Sequence, residues 1–143
     1  MARRSRFGMQ FEGFTDLTEQ YDRLGGDLKG IVNECLIKAR DIVTPKLQQD
    51  MRKHKRSGRT EAAIITNSTP KWEGDKGSID VGFEFPEGLP SIFLMYGTKV
   101  NGTPRVKPYK KLYNDIYGGK TKREIKEAQE QILKDAIRQR LGG

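Results

Sequence analysis

One histidine, His54, and one cysteine, Cys35, are the whole supply of imidazole and thiol in this chain of 143 residues. That scarcity limits the chemistry at once. A metal centre typically needs three or four His, Cys or carboxylate ligands at characteristic spacing, and the sequence holds no such cluster. A Ser–His–acid or Cys–His arrangement would have to route through His54. His54 lies inside the run Arg52-Lys53-His54-Lys55-Arg56, whose positive charges oppose its protonation, and it reads as a surface residue. Cys35 falls on the apolar stripe of a predicted helix and reads as buried filler. Alone, it cannot form an internal disulfide, which fits a reducing compartment. Gly118-Gly119-Lys120-Thr121 resembles the end of a phosphate loop, but it follows a helix and lacks the upstream glycine. Aspartates and glutamates are scattered, and only folding could pair them. The sequence therefore predicts no catalytic, cofactor-binding or metal-ligating residues, no cofactor, and no enzyme.

The elements that would position any site are mostly helical. Hydrophobic residues make up 34% of the chain and charged residues 32%, so the core must be modest and much of the surface solvated. No apolar run approaches the ~20 residues that cross a bilayer, so no membrane span is expected. The N-terminus, Met1-Ala2-Arg3-Arg4-Ser5-Arg6, is basic with no apolar stretch behind it. Residues 1–13 read as a flexible basic arm, although Phe7, Met9 and Phe11 alternate weakly enough to make a short strand or an ordered arm. Residues 14–143 read as a single α+β domain. Thr15 to Leu24 carry Leu17, Tyr21 and Leu24 on one helical face and stop at Gly25-Gly26. Leu28, Ile31, Val32, Cys35, Leu36, Ala39, Ile42 and Val43 follow at helical spacing behind Asp27, a good N-cap. Leu47 and Met51 continue that stripe beyond Pro45, where a kink or a restart capped by Thr44 is predicted.

Beyond the basic run the period changes. Ala62 to Thr66 fit a partly buried strand or a helix-to-strand transition. Ile79, Val81, Phe83 and Phe85 alternate with Ser78, Asp80, Gly82 and Glu84, predicting a strand with one wet face. Pro70 to Gly77 supply turn chemistry for a long hairpin connection, with Trp72 at its base as core-edge cover or interface anchor. Ile92 to Tyr96 predict a helical turn, and Tyr109, Leu112, Tyr113 and Ile116 another helical face ended by Gly118-Gly119. Thr121 and Glu124 have the spacing of a capping box. They open a terminal helix, 121–141, with Ile125, Ala128, Ile132, Leu133, Ala136, Ile137 and Leu141 on one face. After its Gly-Gly hinge this helix could pack on its own core or reach a neighbouring subunit. The expected fold is α+β: long N-terminal and C-terminal helices packed on a small antiparallel β-sheet.

Between these elements lies the segment Phe93-Leu94-Met95-Tyr96-Gly97-Thr98, followed by Pro104-Arg105-Val106-Lys107-Pro108. Gly97 accepts positive φ, and each Pro fixes its own φ and restricts its predecessor. Such a loop is semi-stiff and shaped, which suits docking more than chemistry. The pattern aromatic-Gly-Thr, polar gap, Pro-x-x-x-Pro and helix resembles the signature of the tail-completion (neck, or head–tail joining) family of long-tailed bacteriophages, of the lambdoid minor tail protein Z kind. The likeness runs from about Leu28 to Tyr117 and takes in Ser57-Gly58-Arg59. Met95, and Val106 or Lys107, stand where the family has an acidic and an aromatic residue.

The resemblance implies a structural virion assembly protein at the head–tail junction, completing or joining the tail to the head connector as a homo-oligomeric ring. The implied partners are tail-tube, tail-terminator or connector proteins, with non-specific contact to DNA passing through. The implied location is the virion neck and tail, and the host cytoplasm during assembly. Tyr96, Gly97, Thr98, Pro104, Arg105 and Pro108 are the expected interaction loop. Tail completion, tail terminator and stopper roles stay open on the same residues. A second class rests on charge alone. The formal net charge of +8 favours polyanions. A small basic nucleic-acid-binding module could grip phosphate through the patch Arg52, Lys53, Lys55 and Arg56. Against it, no helix-turn-helix, zinc or RNA-recognition signature is present.

Overall fold

A computed structural model describes residues 6–53, 62–84, 98–100, 103–106 and 110–142. Its elements in chain order are β1 (Arg6–Gln10), α1 (Thr15–Arg23), α2 (Leu28–Lys53), β2 (Lys71–Glu73), β3 (Lys76–Gly82), β4 (Thr98–Val100), β5 (Thr103–Val106), α3 (Lys110–Tyr117) and α4 (Gly119–Arg140). The fold is α+β, with helices packed on a small three-stranded antiparallel sheet of order β1-β3-β2.

Alternation in β3 organises the core. Ile79, Val81 and Phe83 are completely buried and face α2, whose Cys35, Leu36, Val43 and Leu47 are equally buried. The two halves of α2 hold separate apolar clusters. Ile31, Val32, Cys35 and Leu36 pack with Phe14, Ile79 and Leu133, while Val43, Leu47 and Met51 pack with Phe83, Leu112 and Ile116. Met9 of β1 packs against both. The face of β3 expected to be wet is largely covered: Asp80 is 8% exposed, its Oδ2 lies 2.6 Å from Lys71 Nζ, and its carbonyl accepts from Ser68 Oγ.

Several local expectations change. Residues 6–10, expected within a flexible arm, are a strand: Arg6–Gln10 pair with β3 in the register Arg6↔Gly82 to Gln10↔Ser78. Asp27 caps α2 through Gly30 N–H at 3.1 Å. Pro45 neither ends α2 nor restarts it, and Thr44 is no cap: its Oγ1 is buried with no partner among the described residues. The proline lies on the exposed face, where the carbonyl it leaves unbonded can meet water. The long connection before β3 contains a strand of its own, since Glu73 pairs with Lys76 around a tight Gly74-Asp75 turn. Residues 63–65 add an isolated bridge, Ile64↔Phe83, with Ile65 N–H donating to Gly82 O and Glu84 N–H to Ala63 O. Trp72 covers the core edge. It is half-buried, its Nε1 donates to Asn33 Oδ1 at 2.8 Å, and Lys29 Nζ lies 5.2 Å from its ring.

The capping box does not form. α4 begins at Gly119, so Thr121 lies within the helix; it is 2% exposed and its Oγ1 donates to Asn114 O at 3.3 Å. Glu124 reaches Lys46 of α2 at 2.9 Å. The Gly-Gly step is thus a tight joint between α3 and α4. α4 packs on its own core, with Gln129 Nε2 donating to Cys35 O at 2.9 Å. At its far end the Arg140 guanidinium donates to Leu24 O and Gly25 O, closing the C-terminus of α1. α1 itself ends in a Schellman motif, Gly26 N–H to Tyr21 O and Gly25 N–H to Asp22 O, with Gly25 at φ +77°.

Gly118 and Gly119 separate experimentally. A Cβ on Gly118 would sit 2.5 Å from Asn114 O, whereas one on Gly119 meets nothing within 4 Å. Gly118→Ala should cost about 1–3 kcal/mol because backbone must move to admit the methyl. Gly119→Ala should be neutral or stabilising by up to about 1 kcal/mol. Urea unfolding of the two variants checks the difference.

Candidate functional site

Of the expected interaction loop, Thr98 lies in β4, and Pro104 and Arg105 lie in β5. Tyr96, Gly97 and Pro108 lie outside the described residues, as do the helical turn at Ile92 to Tyr96, the Ser57-Gly58-Arg59 element, His54, and Lys55 and Arg56 of the basic patch. What reads in sequence as a shaped loop is a two-stranded sheet that, among the described residues, pairs only within itself: Thr98↔Val106, Lys99↔Pro104 and Val100↔Thr103. The register shifts between Thr98 and Lys99, so these two adjacent residues face the span Pro104 to Val106. Arg105 is the extra residue of a β-bulge, a feature that bends a strand and re-aims side chains. A local signal for this hairpin was available. Residues 101–102 between the strands are Asn-Gly, the strongest two-residue hairpin pair.

Of the expected basic patch, Arg52 and Lys53 are described. Arg52 and Lys53 are exposed in the last turn of α2, where cations complement the negative end of the helix dipole.

After the hairpin in the chain, α3 is fastened to α2 by three charged groups. Lys111 Nζ donates to Asp50 Oδ1 at 2.8 Å and to Asp115 Oδ2 at 2.9 Å. Asp50 is completely buried, and its Oδ2 has no hydrogen-bond partner among the described residues. Burial first, then the adjacent Asp115 carboxylate, push the Asp50 carboxyl up from 3.8 to about 6, with Lys111 pulling the other way. Burial opposes ionisation of Asp115 too, but Asp50 and Lys111 beside it, with Lys46 further off, hold it below the usual carboxylate range. Hydrogen bonds to the two carboxylates, Asp50 first, raise the Lys111 ammonium above its ordinary value. A proton held near neutrality beside a second carboxylate is an arrangement enzymes use for acid–base work. Here the three groups form a packed seam: none of them lines the groove of about 690 Å³ that runs between β1 and α4.

Sequence reasoning left this seam open, because Asp50 and Lys111 are joined only by folding. One sign was present. Asp50 falls three residues after Leu47 and seven after Val43, on the apolar stripe of α2, where a charge must find a buried partner. Lys111 and Asp115 also have the i,i+4 spacing of a helical ion pair. Cys35 behaves as the sequence implies. It is fully buried, with burial and then Glu34 pushing its thiol up to about 12, so the reactive thiolate is disfavoured.

The seam has a pH signature. Asp50 binds its proton more tightly folded than unfolded, so its stabilising contribution is complete below its ordinary value of 3.8 and is lost as pH rises through about 6. Asp115 has the opposite sign, its contribution being present above 3.8 and lost only as pH falls below that. Between pH 4 and pH 7 the wild type should therefore lose about 1–3 kcal/mol relative to Asp50→Asn. Denaturant unfolding of both proteins across that range measures it, and parallel profiles would contradict the assignment.

Comparison with protein-family models, with curated proteins and with solved structures returned no match to this chain.

Proposed function

We propose that this chain is a structural subunit of a phage head–tail junction, assembling as a ring that completes or joins the tail to the head connector. The observation that carries the reading is the β4–β5 hairpin. Two strands of three and four residues, one carrying a proline and a bulge, are bonded to each other and not to the main sheet. An isolated two-stranded hairpin is marginal in water and gains stability by packing on something else. In a head-to-tail contact the same surface of every subunit meets a different surface of the next, and a rotation that closes produces a ring. A docking hairpin held at its C-terminal side by a fastened helix suits that role. The resemblance to tail-completion proteins rests on Tyr96-Gly97-Thr98, the polar gap, Pro104 to Pro108 and the helix that follows. No reaction is assigned to the chain under this reading. DNA passing through the ring would meet a subunit of net charge +8, which favours loose, sequence-independent contact.

The test is assembly. Light scattering and negative-stain microscopy over a concentration series should show discrete closed rings. Lys99→Glu combined with Arg105→Glu should abolish them, and a thermal midpoint retained to within a few degrees shows that the loss is one of assembly and not of folding. A protein that stays monomeric throughout, and binds duplex DNA tightly with a steep salt dependence, would replace this reading with the nucleic-acid-binding one.

A further inference from the structure

The hydrogen-bond phase of β1 can be read from its last contact. Phe11 N–H donates to Gly77 O at 3.3 Å, continuing the antiparallel register of β1 with β3. Antiparallel pairs alternate between bonded and non-bonded, so Phe11, Met9 and Phe7 turn their backbone groups toward β3. Gly8 and Gln10 turn theirs away. The same phase holds on β3, where the even-numbered Ser78, Asp80 and Gly82 serve the opposite edge: Asp80 O accepts from Ser68, and Gly82 O from Ile65. The outward N–H and C=O groups of Gly8 and Gln10 have no partner among the described residues.

These groups open onto the groove between β1 and α4, a space of about 690 Å³ within the range of ligand sites. Its floor is apolar, with Leu36 and Ala39 of α2 and Ile125 of α4 among its lining. Its far wall is α4, which presents Lys122 and Lys126, neither with an ion pair among the described residues. Glu12, just past the end of β1, is the acid of the lining. One wall thus offers a backbone ladder, the floor apolar contact, and the other wall positive charge. α4 lies on the side opposite β1, so the space is walled on both sides.

We infer that this groove receives an extended segment of a partner protein, added as a further strand antiparallel or parallel to β1, with alternate apolar side chains on the floor and acidic ones facing Lys122 and Lys126. Main-chain bonds to a free edge supply affinity in such additions, and side chains at every second position supply selectivity. An acidic occupant follows from charge complementarity with Lys122 and Lys126 on the α4 wall, the latter lying beside Gly13 at the end of the groove that also holds Glu12. The inference stands apart from the ring reading, since a monomer carries the whole site.

The probe is a capped, dye-labelled peptide of alternating Val and Glu about as long as β1, its reach set by ~3.3 Å per residue. Binding is followed by fluorescence anisotropy at low salt. The Val/Glu peptide should bind at least about tenfold more tightly than a Val/Lys counterpart, a difference that Lys122→Glu with Lys126→Glu should abolish. N-methylation of alternate peptide amides should weaken binding in one of the two phases only. That readout needs no protein variant. Gln10→Pro, which removes an N–H that β3 does not use, should weaken binding by a similar factor with the thermal midpoint retained. Equal affinity for the Val/Glu and Val/Lys peptides, or indifference to methylation in both phases, would overturn the proposal. So would a concentration-dependent dimer that Gln10→Pro dissolves, because a second copy would then be the occupant.

Discussion

The burial of one face of β3 against α2 is the constraint on which the other elements depend. Three strands cannot bury two faces by themselves, and Ile79, Val81 and Phe83 reach complete burial only because a 26-residue helix lies across them. At roughly 1.5–3 kcal/mol for each fully buried large apolar side chain, this contact outweighs any single polar interaction in the molecule. Once α2 is placed, its N-terminal half receives Phe14 and Leu133, and its C-terminal half receives Leu112 and Ile116. α1, α3 and α4 thus take their positions from one helix.

Polar groups then refine that packing. Lys46 joins α2 to Thr121 and Glu124 of α4, Gln129 answers the Cys35 carbonyl, and Lys111 bridges Asp50 and Asp115. These bonds specify register more than they stabilise. A buried carboxylate beside a half-exposed ammonium recovers little beyond its own desolvation, and the upward displacement of Asp50 is the mark of that balance. The functional consequence is positional. α3 begins four residues after β5 ends, so the seam that fastens α3 to α2 also limits where the hairpin can stand.

Residues with strong local periodicity were legible in the sequence. The spans of α1, α2 and α3, the Asp27 cap, the alternation of β3 and the packed role of Cys35 all follow from spacings within a few residues. The misreadings share a cause. Thr121 and Glu124 have the spacing of a capping box, yet a half-buried lysine on α2, Lys46, engages both, and the helix starts earlier at glycines with no side-chain cap. Pro45 has the chemistry of a helix break, yet it stands on the solvent face of a helix held by tertiary packing. The polar face of β3 has the pattern of a wet surface, yet Ser68 and Lys71 cover it from a segment whose path no periodicity reveals.

Spacing along the chain, then, sufficed to determine which stretches are helical, which alternates, and that thiol and imidazole chemistry is scarce. Those properties depend on neighbours one to four positions away, within reach of the backbone itself. The tertiary structure alone decided that Asp50 meets Lys111, that Gln129 meets Cys35, and that β1 borders the sheet with Gly8 and Gln10 turned outward over a cationic helix. Each of these joins residues separated by tens of positions, and their meeting is selected by how apolar faces pack, a property of the whole set of elements and of no single segment.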